Sequence, residues 1–211
     1  AEVLLEVDLP PGVVNVVTGN GTTGAALVEN PGVDKLAFTG STDVGKWIQG
    51  KALSRQLPLT LELGGKAAHV IFEDAAFDQA IEGVINGIFF NQGHVCCAGS
   101  RLLVQESIAE HFVDRLLKRI DRLRVGDPLD KNTDVGAINS EVQLARIKEL
   151  VEVGVSEGAQ LHQPVCDLPE RGFWYPPSVF TGVHQAHRIA REEIFGPVLV
   201  VQTFRTAEEA A

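Results

Sequence analysis

Methionine is absent from this 211-residue sequence, and tyrosine, tryptophan and cysteine are scarce, with one, two and three copies. Basic residues are also few, because 18 lysines and arginines stand against 28 aspartates and glutamates, a formal net charge of -10 at pH 7. Proteins that bind nucleic acid usually present a basic face, so this charge argues against a nucleic-acid partner. No apolar run is long enough to span a bilayer, and no signal peptide is visible, so we expect no membrane partner.

The three cysteines do not form the pattern of a secreted disulfide scaffold, because one is left over in any pairing. Cys96 and Cys97 are neighbours, and a bridge between them would strain the backbone. Reduced thiols and a cytoplasmic location follow as expectations. Because the sequence lacks an initiator methionine, we also expect a piece of a longer polypeptide, with N-terminal processing as the alternative.

Hydrophobic periodicity predicts strands that alternate with helices, which is typical of an α/β fold with parallel strands. In the first part we expect strands at 13–17, 35–38 and 57–63, with helices at 22–29 and about 41–54. In the second part we expect strands at 68–72, 101–105 and 198–204, with helices at 77–90, 108–123 and 140–157. The glycine pair Gly64-Gly65 marks the expected boundary between these parts.

Two glycine-containing turns are candidates for binding a phosphate. The segment 19–24 matches the dinucleotide fingerprint G-x-G-x-x-G, but the acidic residue expected about twenty positions later is missing, so we interpret it as a tight turn. The segment 38–45 is the better candidate, because Gly40 permits close approach of the backbone and Ser41 stands at a helix N-terminus. A simple helix cap at Ser41 is the equally weighted alternative.

Glu62 and Cys96 are the candidate catalytic residues. Glu62 ends an apolar strand beside two glycines, where a carboxylate can act as a general base, although a surface glutamate is the ordinary alternative. Cys96 follows Gly93, which is predicted to end the preceding helix, so its thiol is expected in a turn. Cys97 is interpreted as a small buried hydrophobic residue, and Cys166 is assigned no role.

The six histidines show no metal-ligand spacing with cysteine, so we predict no metal site. His94 differs from the others, because it lies two residues before Cys96 and could favour the thiolate. A structural or solvent-facing role for His94 is the preferred interpretation.

Four motifs, in this order and spacing, make the chain resemble the aldehyde dehydrogenase superfamily: Phe38-Thr39-Gly40-Ser41, Leu61-Glu62-Leu63-Gly64-Gly65-Lys66, 91–100 and 192–198. The resemblance implies that Cys96, rather than Cys97, is the nucleophile and that Glu62 is the general base. It also implies a set of residues near the cofactor, with Trp47 beside the adenine: Thr39, Gly40, Ser41, Val44, Gly45, Leu63, Glu193 and Phe195.

The resemblance further implies a fold, a cofactor and a reaction. Residues 1–64 would be the C-terminal part of a Rossmann-like NAD(P)-binding domain, and residues 65–211 most of an α/β catalytic domain. With NAD or NADP as cofactor, Cys96 would attack an aldehyde and form a thiohemiacetal and then a thioester, which Glu62-activated water would hydrolyse. The full-length protein would be a homo-oligomer.

The chain departs from the family pattern in two respects. His94 stands where the family usually has Gln or Glu, and the chain covers less than half of a typical member. We therefore expect a fragment that is inactive alone. The alternatives are a relative that passes the acyl group to coenzyme A, and a non-catalytic scaffold or pseudoenzyme fragment.

Overall fold

The computed structural model describes residues 2–211, apart from the side chain of Leu5. Ala1, the first residue of the predicted cofactor-binding part, lies outside the described residues. The chain forms two compact units, one that ends at Leu63 and one that comprises Gly64–Ala211. The break falls at the glycine pair where the sequence predicts a boundary.

Residues 2–63 of the first unit form three helices and a two-stranded sheet: α1 (Glu2–Glu6), α2 (Gly21–Glu29), β1 (Leu36–Thr39), α3 (Thr42–Ser54) and β2 (Leu59–Glu62). The two strands pair in parallel with Thr39 opposite Glu62, so both strands end at the same edge of the sheet. Helix α3 buries Gly45, Ile48 and Ala52. The crossover from β1 through α3 to β2 confirms the predicted strand–helix–strand order.

The strand predicted at 13–17 is wrong, because these residues form a turn and irregular chain. A β-branched run makes a strand only when a neighbouring strand satisfies its backbone hydrogen bonds. Among the described residues of this unit, β1 and β2 pair only with each other, and Val13, Val14, Val16 and Val17 are at least half exposed.

The second unit is built around a five-stranded sheet with the order β3-β4-β7-β6-β5. Its strands are β3 (Ala68–Ile71), β4 (Arg101–Gln105), β5 (Gln160–His162), β6 (Ser178–Thr181) and β7 (Val198–Phe204). Its helices are α4 (Phe77–Phe89), α5 (Glu106–Ile120), α6 (Glu141–Ser156), α7 (Arg188–Arg191) and α8 (Ala207–Ala210). All neighbouring strands pair in parallel except β5, which is antiparallel to β6.

Both faces of this sheet are covered, as parallel sheets require. Helices α4 and α5 pack on one face, where their apolar stripes meet Leu199 and Val201 of β7. Helices α6 and α7 pack on the other face against Val198 and Val200 of the same strand. Strand β7 is therefore a central strand with side chains in both cores.

No helix within residues 2–211 is long and apolar enough to cross a membrane.

Candidate active site

The carboxyl edge of the first unit's sheet brings together two of the predicted segments. Gly40 follows β1, and its N–H donates to the Glu62 carbonyl at 3.0 Å. Thr39 lies opposite Glu62 in the sheet register. Thr39 and Gly40 are exposed, as is Glu62, so this edge presents a carboxylate beside an accessible glycine turn.

The N-terminus of α3 lies at the same edge. The Ser41 side chain caps the helix, because its Oγ accepts the Val44 N–H at 3.4 Å. Helix N-termini attract anions through free N–H groups and the helix dipole, so both interpretations of Ser41, cap and anion site, are compatible. Beyond the cap, Val44 and Trp47 expose 44% and 40% of their surfaces. These side chains offer an apolar surface next to the helix N-terminus.

Gly45 permits close packing of α3 on the end of β2. A Cβ atom at Gly45 would lie 2.5 Å from Cδ2 of Leu63, and Gly45 itself is buried. The G-x-G-x-x-G segment instead opens α2, where the Asn20 side chain accepts the Thr22 N–H at 3.0 Å. Because the strand that should precede this fingerprint is absent, the turn lacks the context of a dinucleotide site.

The turn that carries Cys96, here called the nucleophile turn (residues 90–99), begins where α4 ends. Asn91, Gln92 and Gly93 all have positive φ, at 49°, 56° and 74°, so the chain reverses sharply. A Cβ atom at Gly93 would collide with the Gly196 carbonyl and lie 2.5 Å from its carbon. Consecutive left-handed residues are costly, and they concentrate at functional sites.

Cys96 and Cys97 are both exposed, so the prediction that Cys97 is buried was wrong. Neither packs into a core, whereas Ala98 enters the apolar cluster and Val95 packs against it. Within the described chain, the Cys96 N–H donates to no acceptor, whereas the Ala98 N–H closes the turn on the Val95 carbonyl at 3.0 Å. Burial and the nearby carboxylates of Asp121 and Asp167 raise the pKa of the Cys166 thiol.

The glycine pair makes room for a carboxylate. A Cβ atom at Gly64 would collide with Oε2 of Glu193 and lie 2.7 Å from its Cδ. The Gly65 N–H donates to Oε1 of Glu193 at 3.3 Å. On its other side, a Cβ at Gly65 would lie 3.8 Å from the Cys96 carbonyl oxygen. Glu193 and the nucleophile turn therefore both lie against the backbone of Gly64-Gly65.

The turn that carries Phe195, here called the phenylalanine turn (residues 192–197), is held on both sides. Phe195 has a φ of 54°, which is strained for an aromatic residue. Its carbonyl accepts from His94 Nδ1 at 2.7 Å and from Gln143 Nε2 at 3.0 Å. Hydrogen bonds from Arg188 and Arg146 lower the pKa of Glu192, the first residue of the turn.

Lys66 is the site residue that sequence reasoning missed. Its Nζ is buried and has no hydrogen-bond partner in the described part of the chain. Burial and the neighbouring Arg101 lower its pKa to about 8, while Glu193 opposes this shift. A lysine of lowered pKa beside a carboxylate is a signature of functional sites, but burial cannot be seen in the sequence.

The residues gathered in the second unit share one edge of its sheet. Lys66 precedes β3, the nucleophile turn precedes β4, and the phenylalanine turn precedes β7. These are the amino ends of three adjacent parallel strands. Within residues 2–211 no three His, Cys, Asp or Glu side chains form a group able to hold a metal ion.

Comparison with known proteins identifies the family. The sequence model of the aldehyde dehydrogenase family matches residues 1–211. Retinal dehydrogenase 2 of Rattus norvegicus is 48% identical over 206 residues, which cover 97% of this chain and 40% of the relative. The Homo sapiens retinal dehydrogenase 2 gives the same values.

Solved structures agree with this assignment. The NAD-dependent aldehyde dehydrogenase from Sinorhizobium meliloti has a TM-score of 0.95 at 44% identity, over 100% of this chain and 42% of that one. The betaine aldehyde dehydrogenase from Staphylococcus aureus in complex with NAD+ has a TM-score of 0.94 at 36% identity, over 99% and 42% of the two chains. The chain thus spans about 40% of the length of the curated relatives it matches. It belongs to the aldehyde dehydrogenase family.

Proposed function

We propose that the complete protein oxidises an aldehyde to a carboxylic acid with a nicotinamide dinucleotide, and that Cys96 is the nucleophile. The observation that carries this proposal is the exposed Cys96 thiol on a strained turn, next to the glycine pair that receives the Glu193 carboxylate. An accessible thiol held on a rigid turn is what covalent catalysis at a carbonyl requires.

The reaction proceeds at the Cys96 sulfur. The thiolate attacks the carbonyl carbon and forms a thiohemiacetal, whose oxyanion accepts a hydrogen bond from the Cys96 N–H, which has no acceptor among residues 2–211. Loss of a hydride from that carbon leaves a thioester on Cys96. Glu62 takes a proton from water, and the resulting hydroxide attacks the thioester, which releases the acid and restores the thiolate.

The residues present fit a dinucleotide in two places. The capped N-terminus of α3, with Thr39, Gly40 and Ser41, suits the pyrophosphate, and Val44 and Trp47 offer an apolar surface for the adenine. Glu193 is set to accept hydrogen bonds from ribose hydroxyls, with Phe195 nearby and the Leu63 backbone available for the carboxamide. When bound, the dinucleotide supplies the hydride acceptor. We favour NAD+, because the Staphylococcus aureus and Bacillus cereus relatives were solved as NAD+ complexes.

Because the chain spans about 40% of its relatives, we propose that these 211 residues do not turn over alone. Measurable NAD+ reduction by the purified chain with any aldehyde would contradict this. We also propose that the complete protein is a cytoplasmic homo-oligomer, which light scattering on the full-length material tests.

The assignment of Cys96 and Glu62 is tested in the complete protein. Cys96→Ala should abolish turnover, whereas Cys97→Ala, the matched control on the same turn, should retain most of it. Glu62→Gln should give a burst of one reduced cofactor per site and then stall, with the acyl group found on Cys96 by mass spectrometry. Acyl-coenzyme A as the main product would favour the acylating alternative instead of hydrolysis.

A simpler measurement needs only the 211-residue chain. With Cys97 and Cys166 changed to serine, iodoacetamide should alkylate the remaining thiol faster than it alkylates a free cysteine model at the same pH. A rate equal to that of the model would support the scaffold alternative.

A further inference from the structure

The His94 side chain joins three segments of the second unit. Its Nδ1 lies 2.7 Å from the Phe195 carbonyl oxygen, and its Nε2 lies 3.3 Å from the backbone nitrogen of Asn139. The imidazole also stacks on the Phe195 ring, with centroids 5.2 Å apart and planes inclined by 19°. His94 belongs to the nucleophile turn, so its contacts connect that turn to the phenylalanine turn and to the segment that precedes α6.

These two hydrogen bonds define the protonation state of the ring. A carbonyl oxygen can only accept, so Nδ1 carries a hydrogen, and the Asn139 N–H can only donate, so Nε2 presents a lone pair. A neutral imidazole satisfies both partners. A second proton on Nε2 would face the Asn139 N–H, which breaks that hydrogen bond and sets two donors against each other.

Charged side chains do not contribute to the shift in the pKa of His94. The titratable groups on the segments packed around His94 are two thiols and three carboxylates: Cys96, Cys97, Glu141, Glu192 and Glu193. Glu192 is engaged by Arg188, and Glu193 accepts the Gly65 N–H. Burial lowers the pKa of His94 and only the Phe195 carbonyl opposes this, so the neutral ring is the native form near neutral pH.

Building on the proposed role of Cys96, we propose that His94 is a positioning residue that ties the nucleophile turn to the phenylalanine turn through Nδ1 and to the segment before α6 through Nε2. When its imidazole takes up a proton, the ring keeps the Nδ1 contact with Phe195 and releases the Asn139 N–H. The tie fixes the turn that carries the nucleophile against the turn that carries Glu193 and Phe195. An uncharged Gln at this position can make the same two hydrogen bonds from its amide, but it cannot release them in acid. The chain thereby gains an acid-sensitive contact next to its nucleophile.

Two backbone amides report on the tie in the purified 211-residue chain. The Asn139 amide donates to His94, and the Ala98 amide closes the turn around Cys96 on Val95. From about pH 7.5 to about pH 5, the hydrogen-exchange protection factor of the Asn139 amide should fall about fivefold in the wild type, the equivalent of one hydrogen bond of about 1 kcal/mol. The Ala98 amide should stay protected, because Nδ1 of His94 still donates to Phe195. Protection factors are corrected for the intrinsic pH dependence of exchange.

Three variants separate the tie from a general effect of acid. His94→Gln should keep both amides protected at both pH values. His94→Leu, which has no donor or acceptor, should lower the protection of the Asn139 amide even at about pH 7.5. His184→Gln, the matched control at an exposed histidine of the same unit, should behave as the wild type.

The outcomes distinguish this proposal from the proposed function. If the wild-type Asn139 amide keeps its protection in acid, or if His94→Gln loses it as the wild type does, the proposal is overturned. Equal losses at Asn139 and Ala98 would show a general effect of acid on the turn and would also contradict it. If the Asn139 amide alone responds while Cys96 alkylates no faster than a model thiol, the tie stands and the nucleophile assignment fails.

Discussion

Replacing Lys66 by methionine should stabilise the second unit, although it removes a charged group beside Glu193. The Lys66 amine is buried, has no hydrogen-bond partner within the described residues, and lies near the cation of Arg101. Each of these features disfavours the charged form, and the attraction of Glu193 compensates only in part. Methionine has a similar length and volume, so it fills the same space without a charge.

The size of the effect follows from the pKa. The pKa of Lys66 falls from 10.5 to about 8, and one pH unit of difference is worth about 1.4 kcal/mol, so the folded unit holds the charged amine at a cost of about 3 kcal/mol. This net cost already includes the attraction of Glu193, so it is the gain expected for Lys66→Met below about pH 8.

The difference in stability between Lys66→Met and the wild type depends on pH in a direction that the pKa of Lys66 determines. The pKa of Lys66 is lower in the folded chain than in the unfolded chain, so the unfolded chain binds more protons between about pH 8 and 10.5. The wild-type free energy of unfolding therefore increases as pH rises through that window. Lys66→Met lacks this gain. The advantage of the variant is therefore largest below about pH 8 and disappears toward pH 10.5, and other groups that titrate in this range cancel in the difference.

Urea unfolding followed by tryptophan fluorescence measures this difference. Trp47 lies in the first unit and Trp174 in the second, so a Trp47→Phe background leaves a probe for the second unit alone. Lys131→Met, at an exposed lysine of the same unit, is the control and should change stability by less than about 0.5 kcal/mol. If Lys66→Met is less stable than the wild type at pH 7, or if the difference does not change with pH, the burial argument is refuted.

Two further predictions concern the turns of the site. Gly93→Ala should destabilise the chain by about 1–3 kcal/mol more than Gly182→Ala. Both glycines have positive φ, but only at Gly93 would the added Cβ atom collide with backbone atoms, those of Gly196. Equal losses of stability in thermal unfolding would contradict this prediction. The bonds from Arg188 and Arg146 favour the Glu192 carboxylate, so this residue stabilises the fold above the ordinary carboxyl pKa, and the contribution is lost as pH falls through the lowered pKa of Glu192. Glu192→Gln should remove this contribution. Identical acid unfolding curves for the wild type and the variant would contradict this.

Local patterns predicted most of the second unit. The apolar stripe of α5, with Phe112, Leu116 and Ile120 fully buried, gives a periodicity that indicates a helix with one face in the core. The cap at Ser41 was likewise predictable, because it depends on residues three positions apart. The run at 13–17 misled for the opposite reason, since a strand depends on a partner that its own sequence does not specify.

The contacts of the candidate site were not predictable in this way, because they join residues far apart in the chain. Gly65 and Glu193 are 128 residues apart, and His94 and Phe195 are 101 apart. Spacing along the sequence contains no information on such a pair. It follows that the sequence predicts which residues belong to the site but not which of them hold each other, and the roles of Lys66 and His94 emerge only from the fold.

The glycine pair Gly64-Gly65 has one role that the sequence indicates and another that only the fold reveals. From the sequence, Gly64-Gly65 indicates a boundary between units and belongs to a family motif, and neither reason explains why both residues lack a side chain. In the structure, the Glu193 carboxylate occupies the place of a Cβ at Gly64 and accepts the Gly65 N–H. A side chain at Gly64 would therefore displace the carboxylate proposed to bind the ribose, so this glycine has a geometric requirement in addition to its place at the boundary. A Cβ atom at Gly65 would make only an ordinary contact with the Cys96 carbonyl oxygen at 3.8 Å, so a small side chain there is expected to be tolerated while one at Gly64 is not.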